Sequence, residues 1–182
     1  MSKEEIIQQL KGNHDALIST IEFLSEPEFN FAPEGKWNAG QTLDHLYRAV
    51  STLSKGMMLP KFSFAMMFGR SNRPSKSYDE LVKKYQQKLS EGGKAHGRYL
   101  PTKVSFANQQ QTHSAMRKSV NSICKNVEGY SELQLDHYVL PHPLLGKVTI
   151  REMMYFTIYH AEHHRKIVVR DTAKFMAGTQ NG

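Results

Sequence analysis

Apolar residues recur along this chain at intervals of three and four, the spacing of one face of an α-helix. Ile6, Leu10, Leu17, Ile21 and Leu24 form a first stripe, and Ser2 stands where an N-cap belongs. The pattern predicts a helix from Ser2 to about Ser25, slightly weakened by Gly12. Pro27, Pro33 and Gly35 then forbid a single helix across Glu26 to Trp37. A second helix is expected from the cap Asn38 to about Met58, with Leu43, Leu46, Val50, Leu53 and Met57 inward and Pro60 as its stop. Phe62 to Phe68 is a Met/Phe-rich patch predicted as a loop with one short helical turn; it is a candidate pocket wall or a piece of core. Ser77 or Asp79 would cap a helix over about Tyr78 to Glu91, after which Gly92, Gly93 and Gly97 loosen the chain.

Another stripe, Met116, Val120, Ile123 and Val127, predicts a helix from about Phe106 to Val127. Leu135 to Gly146, with Pro141 and Pro143, is expected to be an irregular loop. Thr149 followed by Glu152 has the form of a capping box and starts a last helix running from Ile150 to about Ala173. Strand patterns are almost absent. The fold class expected is all-α: a bundle of four main helices with one additional inserted helix.

The 182 residues suit one domain, 1–182, of ordinary size. Hydrophobic residues at 39% and charged residues at 23% place the chain among globular proteins. No apolar run approaches the roughly 18 residues of a membrane span, so no membrane partner is expected. The polar start MSKEEIIQQL has no apolar signal-peptide core, and a cytoplasmic location is the simplest expectation. Cys124 is the only cysteine, which rules out an intrachain disulfide and a Cys-based zinc site. The net charge of +7 matches the excess of ten Lys and Arg over three acids between Lys61 and Lys103. Such a segment is either a solvated helix face or an attractor for an anionic partner. Stacking aromatics and nucleic-acid motifs do not accompany it, so nucleic acid is not an expected partner.

The chemistry concentrates in Tyr159-His160-Ala161-Glu162-His163-His164-Arg165. At about 100° per residue His160 and His164 project from nearly one face, the spacing with which a helix offers two imidazoles to one metal ion. They share a stripe with Ile150, Met153, Thr157 and Val168, so they should face the bundle interior. His163 falls on a flank. His45 lies at the edge of the second helix's buried stripe; if the second and last helices are neighbours, it can meet His160 and His164. Three neutral imidazoles would bind a divalent transition metal, with Zn, Ni and Fe all acceptable, and leave a position open for water or substrate. Isolated inward histidines are otherwise hydrogen-bonded core residues. His14, His96 and His113 are expected on helix surfaces, and His137 and His142 could line a pocket mouth. A zinc protease would carry its Glu directly after the first His of the pair; Ala161 stands there, and Glu162 and Asp44 point away from the ligand direction. This favours chemistry in which the ion itself activates water or a thiol.

Trp37, then Gln41-Thr42-Leu43-Asp44-His45-Leu46, then Pro141-His142-Pro143-Leu144-Leu145-Gly146-Lys147 with Thr149-Ile150-Arg151-Glu152-Met153, and last His160-x-x-His163-His164-Arg165, appear in an order that resembles the DinB-like superfamily, YfiT-like members included. The resemblance covers essentially the whole chain. It implies a four-helix bundle with up-down-down-up connection and a metal triad at His45, His160 and His164. It implies that Trp37 is a packing residue before the second helix. After His164-Arg165 this chain continues Lys166-Ile167 where many members have Gly-Gln, a departure outside the ligand positions. By resemblance the activity is that of a metal-dependent hydrolase or a thiol S-transferase acting on a small molecule, such as an anionic low-molecular-weight thiol attracted by the basic segment. A non-catalytic metal-binding or stress-response module is the alternative, and a homodimer is a candidate assembly.

Overall fold

A computed structural model describes residues 1–179. The chain runs α1 (Lys3–Glu22), α2 (Glu26–Asn30), α3 (Ala39–Met57), α4 (Lys61–Phe68), α5 (Tyr78–Ser90), α6 (Gln109–Glu128), α7 (Glu132–His137), strands β1 (Val139–His142) and β2 (Gly146–Thr149), and α8 (Ile150–Thr179). Helix starts are set locally. Ser2, Asn38, Ser77, Ser131 and Thr149 each cap the amide of the residue three positions on, whose side chain returns the bond to the cap's own amide. Expected and observed bounds of the five longer helices agree closely, except that α1 ends at Glu22, α8 reaches Thr179 and a 3-10 turn, Phe106–Asn108, precedes α6; the short helices α2 and α7 were not expected.

α1, α3, α6 and α8 form the bundle. Lys3 reaches the carbonyls of Glu128 and Tyr130, while Arg117 pairs with Asp15 and Glu22, so α6 runs antiparallel to α1. Asn13 donates to the Ile158 carbonyl and Arg151 to that of Met1, which makes α8 parallel to α1. Trp37, ahead of α3, lies against His164, so α3 descends along α8. The result is the up-down-down-up bundle, with α5 inserted against the outer side of α8. The inward stripes close the core: Ile6, Leu10, Leu17 and Ile21 meet Leu43, Leu46, Val50, Met116, Val120, Ile123, Ile150 and Ile158, all buried. Each fully buried aliphatic side chain of this kind contributes about 1.5–3 kcal/mol.

Several expectations are corrected. The stretch expected to be irregular, from Leu135 to Gly146, holds the end of α7 and a β-hairpin, with Val139 opposite Thr149 and His142 opposite Gly146. His142 Nδ1 accepts from the amides of Leu144 and Leu145, and Gly146 takes a φ of 75°, so a side chain and a glycine close the turn. His14 and His113 are buried, not on the surface. α1 packs against both α6 and α8, so its inward face is wider than one stripe; His14 donates from Nδ1 to the Leu10 carbonyl, and His113 Nδ1 lies 3.2 Å from the Glu22 carboxylate. Phe62 to Phe68 is neither pocket wall nor simple core. It belongs to a two-turn helix, α4, that buries Phe64 and leaves Phe62, Met66 and Met67 exposed.

The basic segment is likewise not one solvated face. Arg73 grips Glu152 through both terminal nitrogens, at 2.6 and 2.9 Å, and the Lys76 amide donates to the same carboxylate at 2.7 Å. Glu152 thus anchors the approach to α5 while capping α8, which sets α5 beside the histidine-bearing face.

Candidate metal centre

The cap at Asn38 fixes the register of α3 so that His45 emerges two turns in, on its buried side. Thr149 and Glu152 do the same for α8, and His160 and His164 follow three and four turns later. Because α3 and α8 are antiparallel neighbours, the three rings converge. His160 Nε2 lies 3.1 Å from the Nε2 of His45 and 3.1 Å from that of His164. The three residues are only 5 to 8% exposed.

His45 Nδ1 donates to the Tyr99 carbonyl at 2.7 Å, which places its proton there and leaves the Nε2 lone pair facing the other rings. Burial holds His45 below the ordinary imidazole range, against the opposing pull of the Tyr99 carbonyl and Asp44. Burial pushes His160 and His164 well below it, and the neighbouring imidazoles add to the effect. All three are therefore neutral, the ligand form. Their contacts cannot be satisfied among themselves: with His45 accepting, one proton on His160 Nε2 can be directed at only one of its two neighbours. A cation takes all three lone pairs at once. The two 3.1 Å separations are near the roughly 3.3 Å between imidazole nitrogens that lie about 2.0–2.1 Å from one tetrahedral ion, and all three nitrogens lie within 4.8 Å of one another. Among the described residues His, Cys, Asp and Glu supply three donors to this group, fewer than a closed structural site needs.

The surroundings are aromatic. Trp37 lies 4.9 Å from the His45 ring and stacks on His164 at 6.3 Å, so the tryptophan expected to be a packing residue packs on the candidate ligands themselves. Phe156 stacks on His160 at 4.8 Å, and Tyr85 of α5 approaches it edge-on at 6.3 Å. Burial pushes the Tyr85 hydroxyl up to about 12, so it stays protonated.

Asp44 does point away from the centre, but its carboxylate is put to use. Oδ2 accepts from the Thr102 amide at 2.6 Å, the Thr102 hydroxyl at 3.0 Å and Arg48 Nε at 2.7 Å. This clamp holds the turn Gly97–Tyr99 against α3 and so presents the Tyr99 carbonyl to His45. The Asp44–Arg48 spacing of four is visible in the sequence; Thr102, fifty-eight residues away, is not. Glu162 pairs with Arg165 and is turned from the centre, and His163 faces Tyr85 and Tyr159 on the flank. His142 packs its ring on Phe156 at 4.2 Å, one aromatic layer behind His160; His137 and His96 are not brought to the cluster.

Two solved structures share this architecture. YfiT from Bacillus subtilis, described as a probable metal-dependent hydrolase with an unusual four-helix bundle topology, aligns with a TM-score of 0.58 and 15% identity over 96% of this chain and 90% of its own. A conserved protein from Enterococcus faecalis aligns with a TM-score of 0.60 and 16% identity over 94% of this chain and 95% of its own. At such identities the likeness is one of fold. No curated protein matches the sequence. The family profile of the DinB superfamily matches residues 9–168, and on that match the chain belongs to the DinB superfamily.

Proposed function

We propose that this chain is a metal-dependent enzyme that holds a divalent transition metal through His45, His160 and His164 and acts on a small molecule, as a hydrolase or a thiol S-transferase. The observation that carries the reading is the set of three neutral imidazole nitrogens, two contacts at 3.1 Å, with no fourth His, Cys, Asp or Glu donor in the group among the described residues. A divalent ion bound by three such ligands supplies Lewis acidity, activating water or a thiol near neutral pH. The chain's own residues do the rest. Tyr99 and the Asp44 clamp hold His45 in one tautomer, and Trp37 and Phe156 fix ring planes and exclude water. The carboxylates next to the histidines in sequence are engaged elsewhere: Asp44 with Thr102 and Arg48, Glu162 with Arg165.

Hydrolysis fits what is said of YfiT. Thiol transfer is supported by Arg98 and Lys103, exposed cations on the segment that presents Tyr99 to His45, which would draw a carboxylate-bearing thiol. The near-burial of the rings favours a second reading, a metal-binding module without turnover. The test is metal analysis of untagged protein, repeated on His45→Ala and His164→Ala, followed by assay of the loaded protein on activated esters and on electrophiles offered with thiols. About one divalent ion per chain, lost in both variants, is expected. Undiminished metal in either variant overturns the triad; full metal with no turnover, and no uptake of small exogenous ligands, would favour the module.

A further inference from the structure

Away from the histidines, at the end of the bundle where α6 stops and α8 begins, α4 presents an apolar surface to solvent. Its interior side is Phe64, buried, with Phe68 half-buried. Phe62 and Met66 project to the opposite side, 64% and 79% exposed, and Met58, Leu59 and Met67 extend the patch. Isolated exposed apolar residues are ordinary, but five large ones within ten positions, each 44 to 79% exposed, are a concentration of the kind found at contact sites. The surface around it is cationic. Between Asp44 and Asp79 the sequence has no acidic residue, and Lys55, Lys61, Arg70 and Lys76 fall in that interval; Arg48 and Arg73 lie there too but are paired with Asp44 and Glu152. Lys61 is fixed at the start of α4 by the Gly129 carbonyl and the Tyr130 ring, and Lys147 at its end by the Phe68 carbonyl. Lys125 shares a groove with Met58. On the acidic side, Glu132 and Asp136 are already paired with Arg151, while Glu128 at the end of α6 and Glu4 and Glu5 at the start of α1 are exposed.

From this juxtaposition we propose that α4 and its flanks are a docking surface for an anionic lipid bilayer, with Phe62, Met66 and Met67 entering the interface and the surrounding lysines and arginines meeting the headgroups. No helix among the described residues is long and apolar enough to cross a membrane, so the contact is interfacial. Charge complementarity selects this occupant. A second copy docked symmetrically through the patch would set Lys61, Arg70 and Lys147 against the same cations. Nucleic acid would answer the charge and gain nothing from five exposed apolar side chains. Anionic headgroups over acyl chains answer both.

The test is co-sedimentation of the full chain with vesicles of phosphatidylcholine alone and of phosphatidylcholine mixed with phosphatidylglycerol, across salt concentrations. Binding to the anionic vesicles, weakened by salt, is expected. It should fall about tenfold or more in Met66→Asp and in Phe62→Ser, persist in Phe62→Leu, and weaken in Lys55→Glu. These positions are exposed, and circular dichroism checks that each variant keeps its helix content. His164→Ala should bind vesicles like the unaltered protein, which separates this proposal from the metal reading. Absence of binding to anionic vesicles, or binding indifferent to Met66→Asp, overturns it. So does a dimer in analytical ultracentrifugation that Met66→Asp dissociates, because the patch would then belong to a copy of the chain.

Discussion

Asp44 shows how a residue next to a candidate ligand can act without touching the centre. Its carboxylate binds Thr102 and Arg48, and through that turn sets the Tyr99 carbonyl on His45. Outer partners of this kind are worth about 10- to 100-fold in metal affinity. Asp44→Ala is therefore expected to weaken metal binding by about that factor while helix content stays constant, measured by competition with a chelating dye. His163→Ala, on the flank, should bind metal as the unaltered chain does. Equal affinity in Asp44→Ala would show that the turn holds itself in place. The sequence could pair Asp44 with Arg48, four residues on; the third member was hidden because loop contacts carry no periodicity.

At the level of elements, two contacts decide how the helices seat. Gly40, in the first turn of α3, faces the Phe29 ring of α2 and the Val104 carbonyl; a Cβ there would meet them at 2.8 and 2.9 Å. Alanine is the better helix former by about 1 kcal/mol, but backbone cannot yield as a side-chain tip can. Gly40→Ala should thus destabilise the fold by about 1–3 kcal/mol in denaturant titration; a more stable variant would mean that α2 moves freely. Glu152 belongs to α8 yet receives Arg73 and the Lys76 amide from the approach to α5. Glu152→Gln keeps the shape and removes the charge, leaving a guanidinium without its counter-ion, and should cost about 2 kcal/mol or more. The loss should appear in the same titration, and an unchanged midpoint would assign the bridge no net value. The caps at Ser2, Asn38 and Ser77 and the Thr149–Glu152 capping box were legible in the sequence because their partners lie three residues apart; the box at Ser131 was not read. The hairpin was not, since Pro141 and Pro143 mask a strand whose pairing partner gives it shape.

For the molecule as a whole, buried neutral histidines tie stability to pH. Burial, with Lys84 adding, holds His142 down from 6.5 to about 4, and burial lowers His14 against the pull of the Leu10 carbonyl. In the unfolded chain these groups take protons near 6.5, while in the folded chain they resist until lower pH. The unfolded state then binds more protons, so stability is full above about 6.5 and is lost as pH falls toward 4. Thermal melts of metal-free protein should drop steadily over that range, and His142→Asn should flatten part of the decline. A profile flat between those limits would show that the folded protein takes up protons as easily as the unfolded chain.

The sequence by itself determined the five longer helices, the stripes that face inward on them, most of their starting caps and the pairing of His160 with His164, because each rests on residues three or four positions apart and on the fixed period of the helix. It also carried the family resemblance that implied His45 as the third member. Tertiary structure decided what depends on chain segments meeting: the convergence of His45 with the α8 pair, the Tyr99–Asp44–Thr102 support behind it, the burial of His14 and His113, and the outward turn of Phe62 and Met66. Local geometry repeats and can be read along one strand of text. Contacts across fifty or a hundred residues depend on how whole helices pack, and no spacing within the sequence encodes them.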